Sequence, residues 1–369
     1  MNPKIIAFYL PQFHTIKEND EWWGDGFTEW TNVRKAVPLF KGHDQPRIPG
    51  ELGYYDLRDP EIREKQTQLA REAGVTAFCY WHYWFGNGKR LLESVFDEVL
   101  ATGKPDFPFC LGWANHSWYA KTWDKNRPNK LLIEQSYNGE DDAKKHFDFL
   151  LKAFKDPRYV KVNGSPFLFI FAPLSLPKQF LDWFRVWTKE AGFPDLYLVA
   201  NGVYLPDNTR YIEYGYNAVL HNRLGKPREA YWAHVSRTRK YIDKTTRFIK
   251  EKIVGVPRNA LEYKKYMPLF IDKIIDCKVE VIPEIVPQWD HSPRSNSKRG
   301  AAIFYNSTPE LFYQHVKNAL DVIKNKPEEN QILILKSWNE WGEGNYMEPD
   351  RKYGKGYIRA LRKAIDELG

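Results

Sequence analysis

The chain has 369 residues, of which 43% are apolar and 16% aromatic, and a formal net charge of +8. That apolar share excludes intrinsic disorder and is enough for a large core, and no apolar run reaches the length of a bilayer span. Three cysteines exclude a disulfide framework or a cysteine-based zinc site. Cys79 and Cys110 fall in apolar runs, where a thiol packs as a small hydrophobe.

Eight short apolar runs predict buried strands: Ile5–Leu10, Val75–Trp81, Phe107–Trp113, Phe167–Phe171, Leu196–Ala200, Asn217–Leu220, Val281–Val286 and Ile332–Leu335. Between them, helical spacing predicts helices at Asp59–Ala73, Leu91–Ala101, Asp141–Phe154, Pro177–Ala191, Ala230–Lys252 and Pro309–Lys324. Asp59-Pro60 and Thr308-Pro309 pair a capping side chain with a proline at the first helical position, and Gly74 and Gly192 are suited to close helices in the left-handed conformation. Alternating strands and helices predict a parallel sheet, and eight strands favour a closed α/β barrel, the (β/α)8 or TIM fold, over an open doubly wound sheet. The expected organisation is a single domain over 1–369 with two long insertions, 11–58 after the first strand and 221–280 before the seventh. There is no Gly-rich dinucleotide turn, Walker loop or internal repeat.

The charge is concentrated. Residues 221–280 hold 15 Lys and Arg against 7 Asp and Glu, which is the whole net charge. Because these cations are spread through a helical pattern, a solvated helical face is the first expectation, an anionic glycan or anionic membrane surface the second, and nucleic acid the least favoured. No signal-peptide pattern precedes the first strand, so the chain as given reads as cytoplasmic, or as periplasmic or secreted if a leader has been trimmed.

In a barrel, chemistry collects where the strands end. Gln12 and His14 follow the first run, Trp81 and His82 the second, Trp113 and Asn115 the third, Asn201 the fifth and His221-Asn222 the sixth. Gln288 and Trp289 follow the seventh, and Trp338-Asn339-Glu340-Trp341-Gly342-Glu343-Gly344 the eighth. Amides and imidazoles suit sugar hydroxyls, and indoles suit the apolar faces of pyranoses. Glu340 and Glu343, three residues apart in a loop walled by two tryptophans, are the acid pair that cleavage of a sugar–sugar bond needs. The same acids could instead anchor a loop. No Gly-x-Ser-x-Gly elbow is present, and the histidines lack metal-site spacing, so no metal and no cofactor are expected.

Four amino-terminal segments then become recognisable: Tyr9-Leu10-Pro11-Gln12-Phe13-His14, Asn19-Asp20-Glu21-Trp22-Trp23-Gly24, Gly26-Phe27-Thr28-Glu29-Trp30-Thr31-Asn32-Val33 and Gly42-His43-Asp44-Gln45-Pro46. They resemble the WbsX-like family of bacterial O-antigen and capsule gene clusters. That family carries a glycosyltransferase label and is similar to glycoside hydrolase family 99, the endo-α-mannanase and endomannosidase group. The Trp338–Gly344 segment with Glu348-Pro349 resembles the catalytic loop of family 99, with Gly342 in place of a bulkier polar residue. The resemblance implies a metal-independent, retaining, endo-acting barrel enzyme working through a 1,2-anhydro sugar. Glu340 would then be the base on the sugar 2-OH, and Glu343 the general acid/base. Tyr9, Gln12, His14, Trp81, His82, Trp113, Asn115, Gln288, Trp289, Trp338, Asn339 and Trp341 are expected to shape the cleft, with Glu29 and Trp30 reaching it from the first insertion. The expected partner is an oligo- or polysaccharide. The rival expectations are a glycosyltransferase, weakened by the lack of any Asp-x-Asp metal motif, and a catalytically silent glycan-binding barrel.

Overall fold

The computed structural model describes residues 2–120, 129–203, 208–224, 227–233, 235–295 and 302–368. Seven strands, Lys4–Tyr9, Ala77–His82, Phe109–Trp113, Ser165–Ile170, Tyr197–Val203, Ala218–Asn222 and Ile332–Leu335, run parallel with a seventh-in-sequence strand made of two pieces, Val281–Ile282 and Glu284–Ile285. The first piece pairs with Ala218–Asn222 and the second with Ile332–Leu335. The break falls at Pro283, which has no N–H to give to a ladder. The ring closes where Ile332–Leu335 lies beside Lys4–Tyr9, in the register Lys4↔Ile332 to Ala7↔Leu335. The expected (β/α)8 barrel is the observed architecture.

The strands read as uninterrupted apolar runs because the barrel interior buries one face and the helices the other. Ile5, Ile6, Ala7, Leu333, Ile334 and Leu335 are all buried. The outer helices begin and end as their caps dictate. Asp59 accepts from the Glu61 N–H ahead of helix Pro60–Ala73, and Gly74 closes it at φ +85°. Thr308 accepts from the Leu311 N–H ahead of helix Pro309–Ile323.

Two expectations need correction. The single helix expected over Ala230–Lys252 is broken: Pro227–Ala233 and Arg237–Ile249 are separate, and the second opens where the Ser236 side chain accepts from the Arg239 N–H. A serine offers the backbone a cap as readily as a helical turn. A π-helical turn, Lys250–Val254, follows. The first insertion, expected as a long loop, contains helices Lys17–Trp23 and Glu29–Lys35, and the carboxyl terminus adds helix Gly356–Asp366 against Pro60–Ala73 and Pro309–Ile323. The second insertion supports a small separate core of Leu224, Leu261, Tyr263, Tyr266, Met267 and Phe270. A three-stranded sheet, Ala260–Glu262, Ile303–Tyr305 and Trp289–Asp290, links this part to the barrel mouth.

Candidate active site

The eighth strand ends in a tight antiparallel hairpin, Asn339–Glu340 against Asn345–Tyr346, turned through a 3-10 turn, Trp341–Glu343. Gly344 leaves the turn at φ +53°, and a Cβ there would lie 2.8 Å from the Asp290 Cβ, so only glycine fits. Around this hairpin a cleft of roughly 320 Å³ is lined by Gln12, Trp81, Tyr83, His116, Trp118, Phe171, Asn222, Trp289, Arg294, Lys336, Glu340 and Glu343, all at the carboxyl ends of strands or in the loops beyond them.

The organising group is Arg294, on the short helix Ser292–Ser295. Its Nε donates to Glu29 Oε1 at 2.8 Å and its Nη1 to Glu343 Oε1 at 2.5 Å, and its Nη atoms lie 3.5 Å from Glu340 Oε1. One guanidinium therefore ties three carboxylates together. Gly342 makes this possible, because a Cβ at that position would stand 1.5 Å from Glu29 Oε1 and 3.1 Å from Arg294 Nε. His291 Nε2 lies 3.6 Å from Glu343 Oε1. Lys336 is 3.6 Å from Glu284 and sits over the Trp289 ring at 5.2 Å.

Burial raises the Glu340 carboxyl to about 8, and the neighbouring Glu343 charge pushes in the same direction against the pull of Arg294 and Lys336. Near neutrality the pair as a unit therefore tends to hold a proton. For Lys336, burial works against its charge, but Glu284, then Glu343 and Glu340, raise its pKa overall. Burial keeps the Tyr83 hydroxyl protonated.

Of the residues expected to shape the cleft, Gln12, Trp81 and Trp289 line it. Trp81 is half-buried, with its ring stacked on Phe8 at 4.6 Å. The other tryptophans are interior and do not present a face to a sugar. Trp338 is 0% exposed, Trp113 and Trp341 1% and Trp30 4%. Trp113 Nε1 donates to the Trp84 carbonyl, Trp30 Nε1 to the Tyr55 carbonyl, and Trp341 stacks on Tyr346 at 3.6 Å. The amides were read as sugar partners, and several instead join strand ends. Asn339 bonds both the N–H (2.7 Å) and the C=O (3.0 Å) of Leu10, fastening the eighth strand to the first. Asn115 does the same to Ala172, at 2.7 and 3.0 Å, fastening the third to the fourth, and Asn201 donates to the Phe171 carbonyl.

The remaining candidates lie beneath the hairpin or away from it. Tyr9 donates to Gln66, which with Tyr55 and Trp341 donates to the buried Glu348 at 2.6–2.8 Å. Burial raises the Glu348 carboxyl to about 7, with those donors pulling the other way. Gln288 accepts from Arg47, which also donates to the Gly344 carbonyl, both at 2.7 Å. Glu29 is buried beside the cleft and acts through Arg294. His82 pairs with His146 at 2.9 Å and His14 with Ser94 at 3.1 Å, and burial lowers the pKa of both His82 and His14. The Gly42–Pro46 motif turns out to support the site from behind: His43 Nε2 and Gln45 Nε2 reach Asp290 Oδ2 at 2.9 and 2.6 Å.

Sequence reasoning missed Arg294, Lys336, Tyr83, Trp118 and Phe171 as cleft groups. Lys336, directly after the eighth run, Tyr83, two residues past the second, and Phe171, the last residue of the fourth, were visible at strand ends. Arg294 carried no local signal, because the residues it joins lie 265, 46 and 49 positions away.

The parallel (β/α)8 barrel is a fold shared with solved structures. The chain superposes on a glycoside hydrolase-like protein with TM-score 0.60 at 15% identity, covering 98% of this chain and 94% of that one. It superposes on the family 99 endo-alpha-mannosidase of Bacteroides thetaiotaomicron with TM-score 0.56, also at 15% identity, over 99% and 96% of the two chains. At that identity the likeness is one of fold. In sequence, the family model described as glycosyltransferase WbsX matches residues 5–361, and the chain belongs to that family. It is similar to the protein described as uncharacterized protein WxcX in two strains of Xanthomonas campestris pv. campestris. The identity is 32% over 365 residues for one and 33% over 368 for the other, covering 98% of this chain. The chain spans about half the length of these curated relatives, 49% in each case.

Proposed function

We propose that this barrel is a retaining, endo-acting α-glycoside hydrolase of a polysaccharide, with Glu340 and Glu343 as its acid pair. The observation that carries the reading is the pairing itself: two carboxylates, on one tight hairpin at the mouth of a barrel, share one guanidinium and open on a cleft walled by Trp81, Trp118, Tyr83 and Trp289. The rings offer flat surfaces to sugar C–H faces. His116, Asn222 and Gln12 offer polar groups to hydroxyls. Cleavage needs one carboxyl to protonate the leaving oxygen and a second to remove a proton from the attacking group. In the similar family that group is the sugar's own 2-OH, and the product of its attack is a 1,2-anhydro sugar that water then opens.

The resemblance makes Glu340 the base and Glu343 the acid, whereas burial and the Glu343 charge raise the Glu340 carboxyl and Arg294 holds Glu343. The two carboxyls titrate as a unit, and kinetics assigns the roles. The acid variant, to Gln, loses about 10²–10⁴-fold on a poor leaving group and far less on an activated aryl glycoside. The base variant loses on both. A substrate lacking the 2-OH is inert if the anhydro route operates.

A second reading has its own support. The family is described as a glycosyltransferase, and Arg294 and Lys336 place two cations in the cleft, where a phosphorylated sugar donor would be held. Turnover of a polysaccharide panel with and without sugar nucleotides, with product stereochemistry read by NMR, separates the two. Release of reducing ends without a nucleotide supports the hydrolase. Strict dependence on the nucleotide supports the transferase and overturns the proposal. Binding without turnover in either arm leaves a glycan-binding barrel.

A further inference from the structure

Helix Arg237–Ile249 and the turn Lys250–Val254 that extends it are turned inside out. An amphipathic helix on a protein surface normally buries its apolar stripe and exposes its charges. Here the packed side is polar. Asp243, 7% exposed, accepts from Trp232 Nε1 and Arg247 Nε and pairs with Lys265, while Arg247 reaches the Arg258 carbonyl and the Tyr266 hydroxyl. The side facing solvent carries Tyr241 (72% exposed), Ile242 (47%), Phe248 (50%), Ile249 (47%), Ile253 (78%) and Val254 (53%). Tyr241 and Phe248, and likewise Ile242 and Ile249, are seven residues apart and so lie on the same stripe. Exposed Arg237, Arg239, Lys244, Lys250 and Lys252 border that face. The acid in this stretch on the outer turn, Glu251, is half-buried and paired with Arg258.

We propose that this face docks on an anionic lipid bilayer, lying in the headgroup plane with Tyr241, Phe248, Ile249 and Ile253 in the outer acyl region. A broad apolar stripe with aromatic residues, margined by Lys and Arg, is the physical description of an interfacial helix. Anionic headgroups supply the complementary charge. A second copy of the chain is a poorer occupant. A two-fold contact sets the same patch against itself, so the five cations on one margin would meet five on the other. The chain's whole net charge falls in the insertion that contains this helix, so charge and apolar face coincide. The same insertion is joined through strands Ala260–Glu262 and Ile303–Tyr305 to Trp289–Asp290, whose tryptophan lines the cleft. Docking would therefore tether the cleft mouth at a membrane surface, whatever glycan reaction it performs.

The test is flotation of the purified chain with vesicles of phosphatidylcholine alone and with about 30% phosphatidylglycerol, at 50 and 500 mM NaCl. The expected result is binding that requires the anionic lipid and weakens with salt. Phe248→Ser with Ile253→Ser should weaken it about tenfold or more, by removing two inserted side chains. Lys244→Glu with Lys252→Glu should weaken it about 30-fold or more, since each basic residue near an anionic surface contributes about a factor of five. All these positions are exposed, so far-UV circular dichroism and Tm should match the parent. Absence of binding to the anionic vesicles, or binding indifferent to Phe248→Ser/Ile253→Ser, overturns the proposal. A dimer in light scattering that this double variant dissolves overturns it in favour of a second copy.

Discussion

Gly342→Ala is a small change with a calculable consequence. The new Cβ would stand 1.5 Å from Glu29 Oε1 and 2.6 Å from its Cδ. Ordinary contact begins near 3.4 Å, so the carboxylate must retreat by about 2 Å. Glu29 is 2% exposed and bonded to Arg294 Nε at 2.8 Å, and a retreat of that size breaks the bond. Breaking a buried ion pair costs about 3–5 kcal/mol. Arg294 keeps Glu340 and Glu343 as partners, so the lower end, about 3 kcal/mol, applies. With an unfolding entropy of about 2.1 cal/mol/K per residue over the chain, this lowers Tm by roughly 4 °C. The glycine has no positive φ in the structure, so the cost is steric and electrostatic, not a backbone cost. Glu29→Ala removes the atom that the Cβ strikes. The double variant Glu29→Ala/Gly342→Ala should therefore be no less stable than Glu29→Ala alone, with a coupling of about 2–3 kcal/mol between the two sites. Differential scanning calorimetry of the three variants is the assay. A Tm for Gly342→Ala within 1 °C of the parent, or simple additivity of the two changes, would refute the claim that Gly342 exists to seat this ion pair.

Three further outcomes are expected. Glu340 has its folded pKa raised to about 8, from an unfolded value of about 4.3. The native state therefore binds the extra proton between those values, and stability contributed by the neutral carboxyl falls as pH rises through that window. Glu340→Gln should raise Tm at pH 9 and change it little at pH 4; a uniform loss across pH would count against it. Asp290 behaves in the opposite sense. Burial works against its charge, but the His43 hydrogen bond, Arg47 and Gln45 hold its folded pKa well below the usual carboxylate range. Its stabilisation is complete above the unfolded pKa near 3.9 and is lost as pH falls towards the folded value. Asp290→Asn should thus destabilise at pH 7 and lose that penalty in acid melts. Asn339→Ala leaves the Leu10 N–H and C=O without partners and should cost about 1–3 kcal/mol per orphaned group. A large rise in KM with an unchanged Tm would instead restore Asn339 as a sugar ligand.

The strands were readable because a barrel strand buried on both faces is a continuous apolar run, and the helices because their caps and spacing are local. The position of the acid pair was readable for the same reason, since Glu340 and Glu343 follow directly from the eighth run. What could not be read was which polar and aromatic residues near strand ends face the cleft. Trp81 and Trp113 each end an apolar run in the sequence, yet one lines the cleft and the other is 1% exposed. The difference lies in which face of the sheet each ring takes: Trp81 packs on Phe8 and Phe169 of neighbouring strands, and Trp113 on His146 and Phe184 of the outer helices. Asn115 and Asn339 looked like sugar ligands because an amide suits either a hydroxyl or a peptide group, and only the meeting of strand ends shows that peptide groups take them. Arg294 and Gly342 belong wholly to the tertiary structure. The charge balance of the cleft depends on a cation brought in from one loop, a carboxylate from another, and an empty Cβ position between them, and no stretch of sequence contains all three.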